Sequence, residues 1–340
     1  MDRVFFEGVR CFSSRQEVPL APVTLLVGEN SSGKSTALAL IRVAWDLLHA
    51  KTPDFNDEPF LLGAYDQIAS FGGLQRIRFT IGSAAEAESG TVTGHFVADR
   101  GQPQLQEWIA VGSLVPRNTR PYAFAPVRTR PLRTYDPIKG SISPEGDHVP
   151  LILATLARSA DWEALAAALE SFGRHSGLFT GVEVRQLGAS ESDPFQIQVH
   201  IGGKPINLID VGYGVSQILP ILVDCLRGEN GGTFLLQQPE VHLHPRAQAE
   251  LGSFLAVLAK QQDKRFVIET HSDYLVDRVR MDIRDKKGIT PEDVALLYFE
   301  RKNGESTIHR LELDEQGNIL NAPPGYRSFF LEEERRFLGG

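Results

Sequence analysis

The sequence predicts an α/β fold. Three apolar segments have the composition of buried strands, and each ends at a polar corner: residues 22–27, 233–237 and 265–269. The first is followed by a glycine-containing loop and by the apolar segment 36–44, which predicts a strand, a tight loop and a helix in succession. In such sheets, ligands gather where the strands end.

Composition limits the class of protein. The chain has 340 residues, 42% of them hydrophobic, and a formal net charge of -8, which argues against non-specific coating of nucleic acid. No segment approaches a membrane span and the N-terminus lacks a signal-peptide pattern, so we expect a cytoplasmic protein that does not contact membrane. Cys11 and Cys225 have no partner spacing and are expected to be reduced thiols.

Residues 28–35 have the pattern of a phosphate-binding P-loop. Gly28 and Gly33 allow the backbone to curl so that its N–H groups converge, and the next helix adds positive potential at its N-terminus. Lys34 is expected to reach the β and γ phosphates, and Ser35 to offer its hydroxyl to Mg²⁺. The nucleotide-binding candidates are Gly28, Asn30, Ser31, Ser32, Gly33, Lys34, Ser35 and Thr36.

The start of the chain resembles the ATPase heads of the structural-maintenance-of-chromosomes (SMC), RecF and OLD-nuclease group, which are relatives of the ABC transporter ATPases. In those heads a first strand with a phenylalanine near its end, here residues 3–12, leads to a G-x-N-x-x-G-K-S loop. Asn30 makes the match more discriminating than the general P-loop pattern. The resemblance implies an ABC-ATPase-like P-loop fold with a mixed central sheet, an antiparallel β subdomain and a short helical arm insertion.

By the same resemblance, residues 61–73 occupy the place of the Q-loop. Gln67 is then the candidate contact for Mg²⁺ or the attacking water, although a glutamine in a loop is more often only solvated. Residues 74–81 and 91–97 alternate between apolar and polar letters, which predicts half-exposed antiparallel strands.

Residues 117–139 form the one markedly basic stretch, and three interpretations are open. The arginines and aromatics could hold a phosphate backbone or unpaired bases. The stretch could instead be a loop tied to the protein's own acidic surface, or one arginine could touch nucleotide phosphate. Its basic residues are Arg117, Arg120, Arg128, Arg130, Arg133 and Lys139.

Between residues 150 and 177 the pattern becomes helical, with a break at residues 159–161. This predicts a short helical arm, and the absence of sustained heptads before residue 210 excludes a long coiled coil. Residues 195–201 and 205–209 alternate around a glycine turn, which predicts a hairpin.

The hairpin leads into residues 210–217, with a helix predicted at 218–226. Ser216 supplies a hydroxyl and Gln217 an amide at the start of a helix, where phosphate is favoured. The stretch resembles the signature motif of ABC-type heads, in the variant used by compact bacterial heads. The resemblance therefore adds Gly212, Gly214, Ser216 and Gln217 to the nucleotide-binding candidates.

Residues 231–245 resemble a Walker B strand followed by a D-loop, with the P-E-x-H-L-H-P motif of OLD-like heads. Most such ATPases carry two acids before the proline, one for the Mg²⁺ water shell and one for the attacking water. Here both are amides, Gln237 and Gln238, so hydrolysis should be slow or should borrow a carboxylate. Glu240 and Glu269 are the candidates for that carboxylate.

Three histidines have alternative interpretations. His242, His244 and His271 could together ligate a metal ion, but a structural corner accounts for the first two. His271 follows a predicted strand and matches the switch histidine of the family, which contacts the γ-phosphate. It could instead be a buried helix-capping histidine.

Residues 294–300 and 306–313 predict a closing hairpin, and a tail helix is predicted at about 327–337. We expect one discontinuous head over residues 1–340. It comprises a P-loop lobe at 1–116, the basic loop and arm at 117–205, and a signature, Walker B and switch lobe at 206–340. We therefore expect no nuclease domain of the kind that OLD nucleases carry.

The resemblance implies ATP and Mg²⁺ as ligands and a homodimer in which the signature of one subunit closes on nucleotide held by the other. We therefore expect a dimeric ATPase switch that controls a separate effector, such as a nuclease, in antiviral defence or DNA repair. Two alternatives are a non-hydrolysing ATP-bound scaffold and a RecF-like ATPase that contacts DNA directly.

Overall fold

Two units, each containing helices and strands, make up the chain in a computed structural model. The first unit comprises Met1–Arg120 with Ile283–Gly340, and the second comprises Pro121–Asp282. The structure describes residues 1–49, 52–70, 76–82, 90–112, 114, 117, 119–138, 141–327 and 335–336. Among them, no helix is both long enough and apolar enough to cross a membrane.

The first unit contains an antiparallel sheet with the strand order β2-β1-β4-β5-β6. Its inner face is an aromatic cluster in which Phe55, Phe79 and Phe96 meet edge to face. Ring centroids in this cluster lie 5.2 to 6.3 Å apart, within the range of favourable aromatic pairs. The strands are β1 (Arg3–Glu7), β2 (Gln16–Pro19), β4 (Ile77–Gly82), β5 (Thr91–Asp99) and β6 (Gln102–Val111).

The P-loop strand of the first unit lies in a second group of strands. β3 (Val23–Gly28) pairs in parallel with β13 (Val294–Lys302), which pairs antiparallel with β14 (Glu305–Leu311). β3 is buried on both faces, as a parallel strand covered by helices must be. The helices of this unit are α1 (Lys34–Leu48) and the short α2 (Tyr65–Ile68).

The second unit contains a parallel group with the order β12-β11-β7 and an antiparallel group with the order β10-β9-β8. The strands are β7 (Tyr122–Phe124), β8 (Val182–Gln186), β9 (Phe195–Ile201), β10 (Lys204–Asn207), β11 (Thr233–Gln237) and β12 (Arg265–Glu269). The helices that begin in it are α3 (Val149–Leu156), α4 (Trp162–Ser176), α5 (Tyr213–Arg227), α6 (Pro245–Gln261) and α7 (Asp273–Arg284).

The mixed α/β fold, the two predicted hairpins and the helical arm are confirmed. The helix predicted at 218–226 is wrong at its start, because α5 begins at Tyr213. Its two glycines fall at the N-cap and in the first turn, where backbone N–H groups need no helical partner, so they do not break the helix. The tail helix predicted at 327–337 lies largely outside the described residues.

Candidate functional site

The P-loop backbone requires glycine at its two predicted positions. Gly28 has a φ of 140°, and a Cβ there would lie 2.4 Å from the carbonyl oxygen of Phe299. Gly33 has a φ of 98°, and its Cβ would lie 2.5 Å from Cζ of Phe12. Both values rule out a side chain, because real Cβ atoms do not approach other atoms so closely. The loop is therefore a cradle that only glycine can form.

Lys34 is buried inside this loop, with 2% of its surface exposed. Its Nζ donates hydrogen bonds to the carbonyl oxygens of Gly28 at 2.9 Å and Glu29 at 2.7 Å. Nζ also lies 3.4 Å from Oγ of Ser32. The ammonium is thus held within the curve of the backbone, where it would meet an anion bound by the loop.

The remaining P-loop candidates divide by exposure. Asn30, Ser31 and Ser35 are exposed, whereas Ser32 and Thr36 are buried. Ser32 Oγ donates to the carbonyl of Glu29 at 2.8 Å, so this serine shapes the loop. The first turn of α1, all of it described, contains no acidic residue and has no side-chain cap. Glycine cradle, ammonium and uncapped helix N-terminus together fit a polyphosphate.

Two arginines that belong to no predicted motif donate hydrogen bonds to the P-loop or to the start of α1. Arg301 Nη1 donates to the carbonyl of Ser31 at 2.7 Å. Arg10 donates to Thr36 Oγ1 at 3.3 Å and to the carbonyl of Leu62 at 2.9 Å. Neither lies close to the motif in the sequence, so spacing alone could not identify them.

Gln67, the Q-loop candidate, lies in α2 of the first unit. Its side chain is exposed, and its Oε1 accepts a hydrogen bond from the backbone N–H of Ala64 at 3.0 Å. The glutamine therefore caps the helix in which it lies, a structural role that a Mg²⁺ contact would have to displace. Residues 71–73 of the predicted Q-loop lie outside the described residues.

In the second unit, the signature stretch forms the N-terminus of α5. Gly212 is its N-cap, with a φ of -59° and a ψ of 146°. At Gly214 a Cβ would lie 2.7 Å from the carbonyl oxygen of His242, so the backbone there packs directly on the D-loop. Gly212 and Tyr213 are exposed.

Ser216 and Gln217, by contrast, lie below the surface, with 5% and 1% of their areas exposed. Ser216 Oγ donates to the carbonyl of Tyr213 at 3.0 Å. The amide of Gln217 is engaged by the backbone of Arg128, with the N–H donating to Oε1 at 2.9 Å and Nε2 donating to the carbonyl at 3.3 Å. In this conformation both side chains make their hydrogen bonds to the protein's own backbone.

The Walker B corner follows β11, also in the second unit. Gln237 is the last residue of β11, pairs in register with Glu269 of β12 and is 8% exposed. Its Oε1 has no hydrogen-bond partner in the described part of the chain. Gln238 has a φ of 43°, and its N–H donates to the carbonyl of Glu269 at 2.9 Å. The two amides thus occupy the corner where a Walker B strand would present acids.

Glu240 and His271 are brought together in the same unit. Glu240 is 6% exposed, and its Oε1 accepts a hydrogen bond from the backbone N–H of His271 at 2.8 Å. Burial raises the pKa of Glu240, and the charge of Glu269 acts in the same direction. His271 is exposed, whereas Glu269 is 4% exposed. A buried carboxyl group with a raised pKa is suited to proton transfer.

The other two histidines have local roles. His242 packs against Tyr213, with ring centroids 5.4 Å apart. His244 is the N-cap of α6, and its Nδ1 accepts from the N–H of Arg246 at 3.3 Å. Within the described ranges, no three His, Cys, Asp or Glu side chains come together in a way that could hold a metal ion. The three-histidine metal site has no support there.

The basic stretch is largely engaged by the protein itself. In the first unit Arg120 binds Asp46 through two hydrogen bonds of 3.0 and 2.8 Å and also pairs with Asp57. In the second unit Arg133 binds Asp210. Arg128, with 3% exposed, is not a surface residue. The two ion pairs favour the interpretation of a loop tied to the protein's own acidic residues. Lys139 lies outside the described residues.

Comparison with known proteins agrees with this architecture. A family model described as "AAA domain, putative AbiEii toxin, Type IV TA system" matches residues 157–277, and one described as a protein of unknown function, DUF3696, matches residues 289–334. No curated protein matches the chain significantly.

Solved SMC heads have the same fold. An SMC head bound to the C-winged helix domain of ScpA superimposes with a TM-score of 0.57 at 11% identity, covering 92% of this chain and 98% of that one. The SMC head domain from Thermotoga maritima gives 0.50 at 14% identity, with the same two coverages. A head with an extended coiled coil, bound to a ScpA domain from Pyrococcus furiosus, gives 0.52 at 9% identity, covering 98% and 99%.

The chain has the fold of an ABC-type ATPase head of the SMC and RecF-like group. The resemblance drawn from its motifs is therefore confirmed at the level of the fold. At these identities the structural comparison establishes the fold, while the functions of the individual residues rest on their own contacts.

Proposed function

We propose that this ATPase head is a Mg-ATP-dependent switch that dimerises when nucleotide is bound and hydrolyses ATP slowly. The observation that carries the proposal is the P-loop, in which Gly28 and Gly33 leave no room for side chains and Lys34 is buried among the carbonyls. Such a loop is suited to a polyphosphate and to little else.

The chain's own residues have distinct tasks in this proposal. Lys34 would bind the β and γ phosphates, and the exposed Ser35 would hold Mg²⁺, which supplies positive charge to the phosphates. Glu240 is the best candidate to accept a proton from water, because its carboxyl group is buried with a raised pKa. His271 would sense the γ-phosphate.

Dimerisation follows from the signature resemblance. The N-terminus of α5 exposes Gly212 and Tyr213, which leaves backbone N–H groups available to an anion from a second subunit. We propose that nucleotide held by the P-loop of one subunit is closed over by this stretch of another. Binding energy would then be converted into association and released by hydrolysis.

We propose that the dimer controls a separate effector protein, such as a nuclease, in antiviral defence or DNA repair. Two of the similar structures are SMC heads bound to domains of ScpA, so the fold is compatible with a partner protein. The AbiEii-like family match is in keeping with a defence setting.

The proposal is tested by measuring oligomeric state and phosphate release with and without Mg-ATP. We expect monomers without nucleotide, dimers with it, and slow steady turnover that the Lys34→Ala variant lacks. Monomers in both conditions, together with no measurable ATP binding, would refute it. Purification with Mg-ATP followed by identification of copurifying proteins tests the effector.

A second candidate, a non-hydrolysing scaffold, is favoured by the Walker B corner. Gln237 and Gln238 can orient water but cannot accept a proton or add anionic charge beside the metal. ATP-dependent dimers with no phosphate release would support the scaffold. The third possibility, direct DNA binding, loses the support of Arg120, Arg128 and Arg133, since the protein's own groups engage all three.

A further inference from the structure

The N-terminal part of α5 is tied to a buried arginine. Gln217 and Arg128 share three hydrogen bonds: two between the glutamine amide and the arginine backbone, and one from Arg128 Nε to the carbonyl of Gln217 at 3.0 Å. The guanidinium also donates to the carbonyls of Ala125 at 3.3 Å and Pro126 at 3.0 Å. One arginine therefore joins the helix to the loop that follows β7.

Burying this charge is costly, so the arrangement needs an explanation. Only 3% of Arg128 is exposed, and its Nη2 has no hydrogen-bond partner among the described residues. Burial lowers the pKa of Arg128 to about 10, although the charge of Glu240 opposes the shift. The group is thus charged at neutral pH, and an apolar side chain would fill the space at lower cost.

The N-terminal part of α5 has a second close contact. Gly214 packs on the carbonyl of His242 so closely that no Cβ fits. Gly212 and Tyr213, which come before both contacts in the sequence, are exposed. The backbone N–H groups of the signature stretch are therefore fixed in direction by contacts behind them.

A comparable tie exists at the other end of α5. Lys264 is 1% exposed, and its Nζ donates to the carbonyls of Cys225 at 2.6 Å and Leu226 at 3.2 Å. A cation at the helix C-terminus stabilises the helix but has no bearing on the direction of the N–H groups at its start. Loss of the tie at the C-terminus should affect only the stability of the helix. Loss of the tie near the N-terminus should also affect the geometry of the signature stretch.

We propose that Arg128 and Gln217 form a positioning clamp that holds the signature stretch in the orientation required to close on nucleotide in the dimer. The inference rests on the proposed function and adds two residues to it. Gln217 then acts by its contact with Arg128, and neither side chain needs to touch the nucleotide.

The clamp would act on the direction of backbone N–H groups. N–H groups that bind an anion act only when they point at it before it arrives, and small displacements of such groups cost large factors in affinity. Loss of the clamp would let the first turn fray, as helix termini do. ATP binding at the P-loop should be unaffected, because no P-loop residue takes part in these hydrogen bonds.

The test compares Gln217→Met with Lys264→Met. Both changes replace a buried polar chain by an unbranched apolar one and remove a tie to α5, at its start and its end respectively. For each full-length variant we would measure the thermal midpoint, ATP affinity and ATP-dependent dimerisation. Gln217→Met should weaken dimerisation by about tenfold or more with ATP affinity within about twofold of wild type.

Lys264→Met should lower the thermal midpoint by at least as much as Gln217→Met does. Dimerisation of the folded Lys264→Met protein should stay within about twofold of wild type. Gln217→Glu retains an acceptor for the Arg128 N–H but loses the donor to its carbonyl, so its dimerisation should be intermediate. If Gln217→Met does not fold, the dimerisation of Gln217→Glu tests the clamp instead.

Equal dimerisation by wild type, Gln217→Glu and Gln217→Met would overturn the clamp. So would equal losses in the Gln217 and Lys264 variants, since stability alone would then explain them. A wild-type protein that binds ATP and stays monomeric would instead refute the proposed function.

Discussion

The P-loop of the first unit and the Walker B corner of the second differ in what they retain. The P-loop keeps its glycines, its lysine and its serine, and Lys34 lies buried within it. The corner keeps its strand and its turn, but Gln237 and Gln238 stand where the related ATPases carry acids. The motif residues thus favour nucleotide binding more strongly than they favour hydrolysis.

The difference has a physical basis. Nucleotide binding depends on backbone geometry and a fixed positive charge, whereas hydrolysis also needs an anionic or basic group at the metal and the water. Glu240 is the nearby acid, yet burial raises its pKa and its Oε1 is occupied by the N–H of His271. A head built in this way should hold ATP well and turn it over slowly, which suits a timed switch.

The largest expected effect concerns ATP binding by the P-loop, which keeps all its motif residues. Lys34→Ala removes a buried ammonium and should weaken ATP binding by about a hundredfold. Titration of a fluorescent ATP analogue measures this. Lys302→Ala, in the same unit, removes an exposed lysine that pairs with Glu300 and should bind like wild type. Tight binding by Lys34→Ala would mean that the P-loop does not hold the phosphates.

A second variant compares buried and exposed ion pairs of the basic stretch. Asp46 is 3% exposed, so Arg120→Gln should destabilise the protein by about 2 kcal/mol by leaving that carboxylate without its bidentate partner. Denaturant unfolding measures the change. Arg133→Gln breaks an exposed pair with Asp210 and should leave the midpoint unchanged. A DNA affinity lost in Arg133→Gln would instead revive the nucleic-acid interpretation.

The elements that sequence patterns predict best are those whose requirements are local. The P-loop was predictable because its backbone curvature depends on neighbouring letters, and the hairpin of β13 and β14 because Asn303 and Gly304 can adopt positive φ. Sequence patterns do not predict β6, since the first half of Gln102–Val111 is mostly polar and contains a proline. It is an edge strand whose position depends on pairing with β5.

The candidate site was predictable as a set of motifs but not as a set of contacts. Arg301 reaches Ser31 across 270 positions, and Arg128 reaches Gln217 across 89. No periodicity links such residues, because tertiary folding alone brings them together. Gln217 shows the consequence: its motif predicts a nucleotide contact, whereas its burial and bonding give it a partner inside the protein.

A third change would restore acids to the Walker B corner. Gln237→Asp combined with Gln238→Glu supplies the two acids that related ATPases carry, and we expect turnover to rise by about tenfold or more. Steady phosphate release measures this, with ATP affinity as the internal reference. Gln104→Glu, on exposed β6, adds a similar charge without this effect. Unchanged turnover in the double variant would place the limiting step outside this corner.

The smallest effect concerns the carboxyl group of Glu240. Its pKa is raised in the folded protein, so folding is penalised once pH exceeds the unfolded pKa, and the penalty is complete above the folded pKa. Glu240→Gln retains an acceptor for the His271 N–H and should stabilise the protein by about 1 kcal/mol at neutral pH. The gain should shrink as pH falls through the folded pKa, because the wild-type carboxyl is then protonated. Denaturant midpoints at neutral and acidic pH measure it, and an equal gain at both would show that Glu240 is not held against its charged form.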